Sequence, residues 1–291
     1  QDEGGGDDSE TSEVKVEGDV DTLNVTNKEK KKVVINNFHG IDDERLADLE
    51  ARLRALEEAS EDPTEDEARA TEEAYDEIEG IEAMGAILGP EVKFSMGRAA
   101  STSGSTFAAE GYYNDARRLF GEEGDRSGEA RSLIELGKLA RLRGNRTRSK
   151  DLLSMAGDLL RETDDEKTMA DLLNEEGNLL MDLKETERSI ELHTESLHLR
   201  EKISDELGVA KSLNNLGILQ KRLGEYEEAK KFYNRALEIF NELDDQRGKV
   251  FTANNLGSLE SARGNLELAE EYHLASLKIL RRMKHRKGIA T

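Results

Sequence analysis

Asparagine returns every 40 residues in the C-terminal part of this chain, at Asn174, Asn214 and Asn254, with Asn215 and Asn255 beside the last two. A primary amide carries both a donor and an acceptor. A row of them has the chemistry to pair with the backbone of an extended peptide, whatever that peptide's side chains. It has equally the chemistry to bond within itself or to neighbouring helices. At helical spacing the same stripe takes in Asn178, then Lys211, Ile218 and Arg222, then Phe251 and Ser258. One period earlier it holds Arg131, Ile134, Glu135, Lys138 and Arg141, and Asp171 and Glu175 flank Asn174. Lys211, Lys221 and Arg222 would favour an acidic segment or a free carboxylate.

Other chemistry is sparse. There is no G-x-x-x-x-G-K-[ST] loop. The Gly- and Ser-rich run Gly97–Thr106 has no lysine to reach a phosphate. The chain has five histidines and no cysteine, and no H-E-x-x-H set or thiolate cluster to hold a metal. His193 and His273 fall in a column with Tyr113 and Tyr233, which is a packing position. The carboxylates are spread over many faces, so no acid–base pair stands out. We therefore expect no cofactor, no metal and no enzymatic activity. The Lys-rich stretch Lys28–Lys32 reads as a solvated turn.

The 291 residues are 35% hydrophobic and 36% charged, with two prolines. That is lean for a globule and suits an elongated helical protein whose helices each keep a wet face. The net charge of −22 is uneven. Residues 1–90 hold 28 Asp/Glu against 9 Lys/Arg, and residues 91–291 hold 36 against 33. Such acidity disfavours nucleic acid and anionic membrane as partners. No apolar run approaches the ~18 residues of a membrane span. A cytoplasmic location is expected.

What must position the stripe is a repeat. Five columns keep one 40-residue period. The first is Gly97, Gly137, Gly177, Gly217, Gly257, and the second is Gly104, Gly144, Lys184, Gly224, Gly264. The third is Ala109, Ser149, Ser189, Ala229, Ala269, and the fourth is Ala116, Ala156, Ser196, Ala236, Ser276. The fifth is Ala130, Ala170, Ala210, Val250, Ala290. A period of this size means stacked supersecondary units. Leu213, Leu216, Gln220 and Leu223 mark one helix. Gly224 ends it. A second helix follows from about residue 225, burying Ala229, Phe232, Tyr233 and Ala236. Small residues sit where helix backbones approach closely. Gly217 against Ala229 is the expected contact inside a pair, and Ala236 is expected to face the next pair.

Leu216-Gly217, Gly224, Tyr226, Ala229, Tyr233 and Ala236 together resemble the tetratricopeptide repeat. So do Leu256-Gly257, Gly264, Ala269 and Ser276. The common unit is ~34 residues and ends in proline. This one is six residues longer and lacks the proline, like the variant of kinesin light chains and of bacterial and archaeal regulators. The resemblance implies a mainly α fold, a right-handed α-solenoid of helix–turn–helix units. It also implies that the stripe described above lines a concave groove, where related proteins use asparagines to hold a peptide. The expected function is a protein-interaction scaffold that binds a partner peptide or helix. The alternative is the sensor segment of a larger signalling protein, such as a nucleotide-switch ATPase or a transcriptional regulator, with its effector outside this chain.

The expected order is an acidic disordered tail over 1–13, a β-hairpin over 14–38, and a helical pair over 41–88. A divergent repeat follows over 90–128, then repeats over 129–168, 169–208, 209–248 and 249–288. Residues 289–291 match the opening of a further first helix. Gln1 in place of Met, and this ending, predict that the chain is a fragment of something longer. Leu46, Leu49, Leu53 and Leu56 alternate spacings of three and four, a short seam that suits a coiled coil or packing within the chain. Homo-oligomers through the N-terminal third or through the last helix are therefore expected as a possibility. That last helix should expose part of the set Leu274, Leu277 and Leu280.

Overall fold

A computed structural model describes residues 88–289, with side chains to Met283. The tail over 1–13, the hairpin over 14–38 and all but Leu88 of the pair over 41–88 lie outside the described residues. So do Ala290 and Thr291.

The described residues form ten helices and no strand. They are α1 (Pro90–Thr102), α2 (Thr106–Glu123), α3 (Arg126–Leu142), α4 (Arg146–Leu160) and α5 (Glu166–Asp182). Then come α6 (Thr186–Lys202), α7 (Glu206–Leu223), α8 (Tyr226–Glu242), α9 (Gln246–Arg263) and α10 (Leu266–Ile289). Each odd helix packs most extensively on the even helix that follows it, and each even helix packs less extensively on the next odd one. Contacts between consecutive odd helices add a second layer, as between α3 and α5. The described residues form a stack of five helical pairs.

Local chemistry explains the punctuation. An aspartate at the same 40-residue interval caps α3, α5, α7 and α9. The side chains of Asp125, Asp165, Asp205 and Asp245 accept from the backbone N–H of Gly128, Thr168, Gly208 and Gly248 at 2.9–3.1 Å. Each satisfies an amide that a helix start leaves without a partner. Because of these caps the first helix of each unit begins about three residues before the register drawn from the glycine and alanine columns. Inside each pair the turn needs a left-handed residue. Gly104, Gly144, Gly224 and Gly264 supply it with φ of 78–85°, and Lys184 adopts it with φ of 64°.

The first glycine column is a packing device. A β-carbon at Gly217 would stand 2.5 Å from the Tyr233 ring, and one at Gly97 would stand 2.6 Å from Tyr113. Removing the β-carbon lets the aromatic ring of the second helix lie flat on the first helix. Both tyrosines are fully buried. The third column touches the same backbone, since the Ser189 hydroxyl donates to the Gly177 carbonyl at 2.8 Å. The fourth column serves its own pair as well as the next: Ala116 shares a core cluster with Leu136 and Leu139, and Ala156 with Leu172 and Leu179. Ser196, the counterpart of Ala236, donates to the Ala170 carbonyl at 2.8 Å.

Between pairs a second fit recurs. Phe120 lies on Gly128 and Phe240 on Gly248, where β-carbons would stand 2.3 and 2.2 Å from the rings. Arg200 takes the ring's place against Gly208. It is almost wholly buried, donating to the Gly208 carbonyl at 2.8 Å, to Asp171 at 2.8 Å and to the Ser212 hydroxyl at 3.2 Å. Burial pushes the Asp171 carboxyl above its ordinary range, and the Arg200 charge pulls against that shift.

Candidate functional site

The odd helices carry one row of polar side chains from pair to pair. Asn215 on α7 donates to Asn174 and Asn178 on α5, at 3.2 and 3.3 Å. Asn255 on α9 donates to Asn214 on α7 at 3.1 Å. The rule is the same both times: the second asparagine of one unit reaches back to the first asparagine of the unit before. Asn214 is buried, Asn174, Asn178, Asn215 and Asn255 are half-buried, and Asn254 is exposed. Each amide offers two N–H donors and two acceptor lone pairs, so a single bond leaves capacity for a ligand.

At the α3 side the row ends on a carboxylate. Glu175 accepts from Asn178 at 3.0 Å and from Arg141 at 3.3 Å, and Arg141 also reaches Asp182 at 3.1 Å. Burial raises the Glu175 pKa, and the nearby Lys138 and Arg141 oppose the rise. Glu175 was legible as the acid standing where the next two units hold Asn215 and Asn255. Asp182 stands where the next unit holds Arg222, and the sequence reading passed over it.

At the other end lie two cations. Lys221 donates to the Ser258 hydroxyl at 2.6 Å, and Arg222 donates to the Met181 carbonyl at 3.1 Å. Both acceptors are neutral. Burial lowers the Lys221 pKa, and the Arg222 charge lowers it further. An anion placed there would relieve both effects. Lys211 is half-buried on the same helix, and Ile218 packs against the cluster of Ala229, Tyr233, Leu256 and Leu259. Phe251 is 52% exposed, an apolar ring left facing water. The structure thus brings Asn174, Asn178 and Asn215 together, then Asn214 and Asn255, then Ser258 and Lys221. Phe251 and Asn254 stand on α9 outside the amide-to-amide bonds.

Of the two packing histidines, His193 is fully buried and neither ring nitrogen finds a hydrogen-bond partner. His273 is exposed, with Nδ1 3.4 Å from the Asn254 amide oxygen. Among the described residues no group of three or more acids and histidines is placed to hold a metal ion, and no helix is long and apolar enough to cross a membrane.

Family models described as tetratricopeptide repeat match residues 168–242 and 252–283. Those residues carry tetratricopeptide repeats. Solved tetratricopeptide-like structures share the chain's fold. BtubC from P. vanneervenii is 22% identical, with a TM-score of 0.57 over 81% of this chain and 92% of that one. A Rap protein complexed with competence and sporulation factor is 17% identical, with a TM-score of 0.65 over 74% of this chain and 59% of that one. A signal-transduction ATPase with a tetratricopeptide repeat sensor, from Pyrococcus horikoshii, is 14% identical, with a TM-score of 0.63 over 82% of this chain and 34% of that one. At these identities the likeness is one of fold. No curated protein matches the chain. Stacked repeats of this kind present extended binding surfaces, so the repeats point to protein–protein interaction.

Proposed function

We propose that the odd-helix face of pairs three to five binds an extended, acidic segment of a partner protein. The observation that carries this reading is the cation pair Lys221 and Arg222, which is bonded only to neutral oxygens. The spare amide capacity of Asn174, Asn178, Asn214, Asn215, Asn254 and Asn255 supports backbone recognition, and the exposed Phe251 offers an apolar contact. Lys211, Ile218 and Ser258 complete the face. A scaffold that reads backbone through amides and charge through two cations needs little from the ligand's other side chains.

The test is a titration with labelled acidic and basic decapeptides. Acidic peptides should bind, and Lys221→Glu with Arg222→Glu should weaken them at least tenfold, since each charge-assisted bond is worth about 1.5–3 kcal/mol. Asn254→Ala should weaken binding with little change in melting temperature, because Asn254 is exposed. Equal binding of acidic and basic peptides, or binding that survives the double reversal, would sink the reading.

The same face would serve as the ligand-sensing part of a larger signalling protein. The fold likeness to the sensor-bearing ATPase favours keeping that second reading. A phosphate-binding loop in the same gene would select it.

A further inference from the structure

The junction between pairs two and three is built differently from the other three junctions. After α2, α6 and α8 the chain turns through a left-handed residue, Gly124, Ser204 or Asp244, with φ of 75°, 60° and 53°. Each of those turns is closed by a backbone bond: Asp125, Asp205 and Asp245 donate to the carbonyls of Phe120, Arg200 and Phe240 at 2.9–3.0 Å. Such a bond satisfies the helix end and fixes the exit of the chain. After α4 neither feature is present. No residue between Leu160 and Asp165 is left-handed, and the Asp165 N–H meets the Thr163 hydroxyl instead, at 3.5 Å.

Packing repeats the difference. The fit of a ring on glycine is missing, because Leu160 and Thr168 stand where Phe120 meets Gly128 and Phe240 meets Gly248. A seam position is lost as well. Leu136 shares a core cluster with Ala109, Tyr113 and Ala116 of α2, and Leu256 with Ala229 and Tyr233 of α8. Their counterpart on α5 is Glu176, a half-buried carboxylate whose pKa is raised by burial and further by Glu195. Helix α4 accordingly meets α5 over the least extensive of the four even-to-odd junctions. On the odd-helix side the order reverses, and α3 with α5 makes the most extensive contact between consecutive odd helices. Arg141 bridges that side, donating from α3 to Glu175 at 3.3 Å and to Asp182 at 3.1 Å on α5.

We propose that this junction is a hinge on which pairs one and two swing against pairs three to five, with Arg141 as the latch on its odd-helix side. A stack of repeats is held by each unit and by each neighbour interface separately. One weakened interface can therefore open while the blocks on either side stay folded. Residues 161–164, which lack the closing bond of the other turns, absorb the change in backbone angle. Glu175 also accepts from Asn178 at 3.0 Å. Latch and amide row thus share one carboxylate, and a change of hinge angle reaches the row through it.

The chain has no cysteine, so spin labels go only where cysteine is introduced. Ser154, Thr194, Asn234 and Leu274 are exposed and occupy one column of the even helices. Ser154→Cys with Asn234→Cys spans two steps across the hinge. Thr194→Cys with Leu274→Cys spans two steps that do not cross it. Both pairs lie roughly 20 Å apart at about 10 Å per step, within reach of double electron–electron resonance. The full chain is measured without a peptide, so the outcome is independent of the groove reading. The crossing distances should spread roughly twofold more widely than the control. Arg141→Ala should widen that spread further and leave the control unchanged. Asp182→Ala removes the more exposed of the two acceptors and should do the same to a smaller degree. Leu160→Phe, Thr168→Gly and Glu176→Leu together copy the other junctions and should narrow the crossing spread to that of the control. Circular dichroism should show the helices intact in each variant; if Arg141→Ala unfolds, Asp182→Ala decides alone. Equal spreads in the parent chain overturn the hinge, as does a crossing spread that the triple substitution leaves unchanged. A crossing spread that ignores the loss of Arg141 or Asp182 overturns the latch.

Discussion

Gly177 lies directly beneath His193: a β-carbon on the glycine would stand 2.8 Å from Nε2 of the imidazole. The ring fills the site that Tyr113 and Tyr233 fill over Gly97 and Gly217. A buried imidazole without partners resists protonation. Burial first, and then the Arg200 charge, lower the His193 pKa to about 4. The folded value is below the unfolded one of about 6.5, so the stabilisation is present above the unfolded value and is lost as pH falls towards 4. The loss amounts to about 3 kcal/mol when complete. His193→Tyr should remove this component. Melting temperatures of the two proteins should converge at neutral pH and separate between pH 6.5 and 4, with the tyrosine variant the more acid-resistant. Parallel curves would contradict the assignment.

Two glycines on helices should answer alanine in opposite ways. Gly111 on α2 is exposed and nothing lies within 4 Å of a β-carbon there, whereas Gly217 is covered by the Tyr233 ring. Gly111→Ala should stabilise by about 0.5–1 kcal/mol through helix propensity. Gly217→Ala should destabilise by about 1–3 kcal/mol through overpacking. Urea unfolding monitored by circular dichroism decides the signs.

Lys184 holds a left-handed turn that four glycines hold elsewhere. A non-glycine residue is strained there by about 1–2 kcal/mol, and the greater freedom of glycine in the unfolded chain offsets part of that. Lys184→Gly should therefore stabilise by about 0.5–1 kcal/mol, seen as a small rise in melting temperature.

Arg200 is the one charged residue in a column otherwise made of Phe120, Leu160, Phe240 and Leu280. Truncation and replacement should differ. Arg200→Ala leaves a cavity and strips Asp171 of its partner, at a cost of about 3 kcal/mol. Arg200→Phe refills the space over Gly208 as Phe240 fills it over Gly248, and should come within about 1 kcal/mol of the parent or above it. Equal losses for both variants would mean that the ion cluster itself holds pairs three and four together.

The helical pairs, their 40-residue period and the glycines of their turns were legible because each is local. A turn that needs a left-handed residue and a helix that needs a small one leave the same mark in every copy. The capping aspartates Asp125, Asp165, Asp205 and Asp245 left such a mark too, and they place the helix starts that the small-residue columns set three residues late. The asparagine row was legible as a row, and its partners were not. Asn215 reaches Asn174 and Asn178 because packing sets α5 and α7 at one particular offset, and no spacing within either helix contains that offset. Nor did composition foretell that Arg200 would be buried, or that Lys221 and Arg222 would meet only neutral oxygens. Those outcomes depend on which groups from separate helices share a dielectric environment. That is decided when helices pair and the pairs stack, by the fit of Tyr233 on Gly217 within a pair and of Phe240 on Gly248 between pairs.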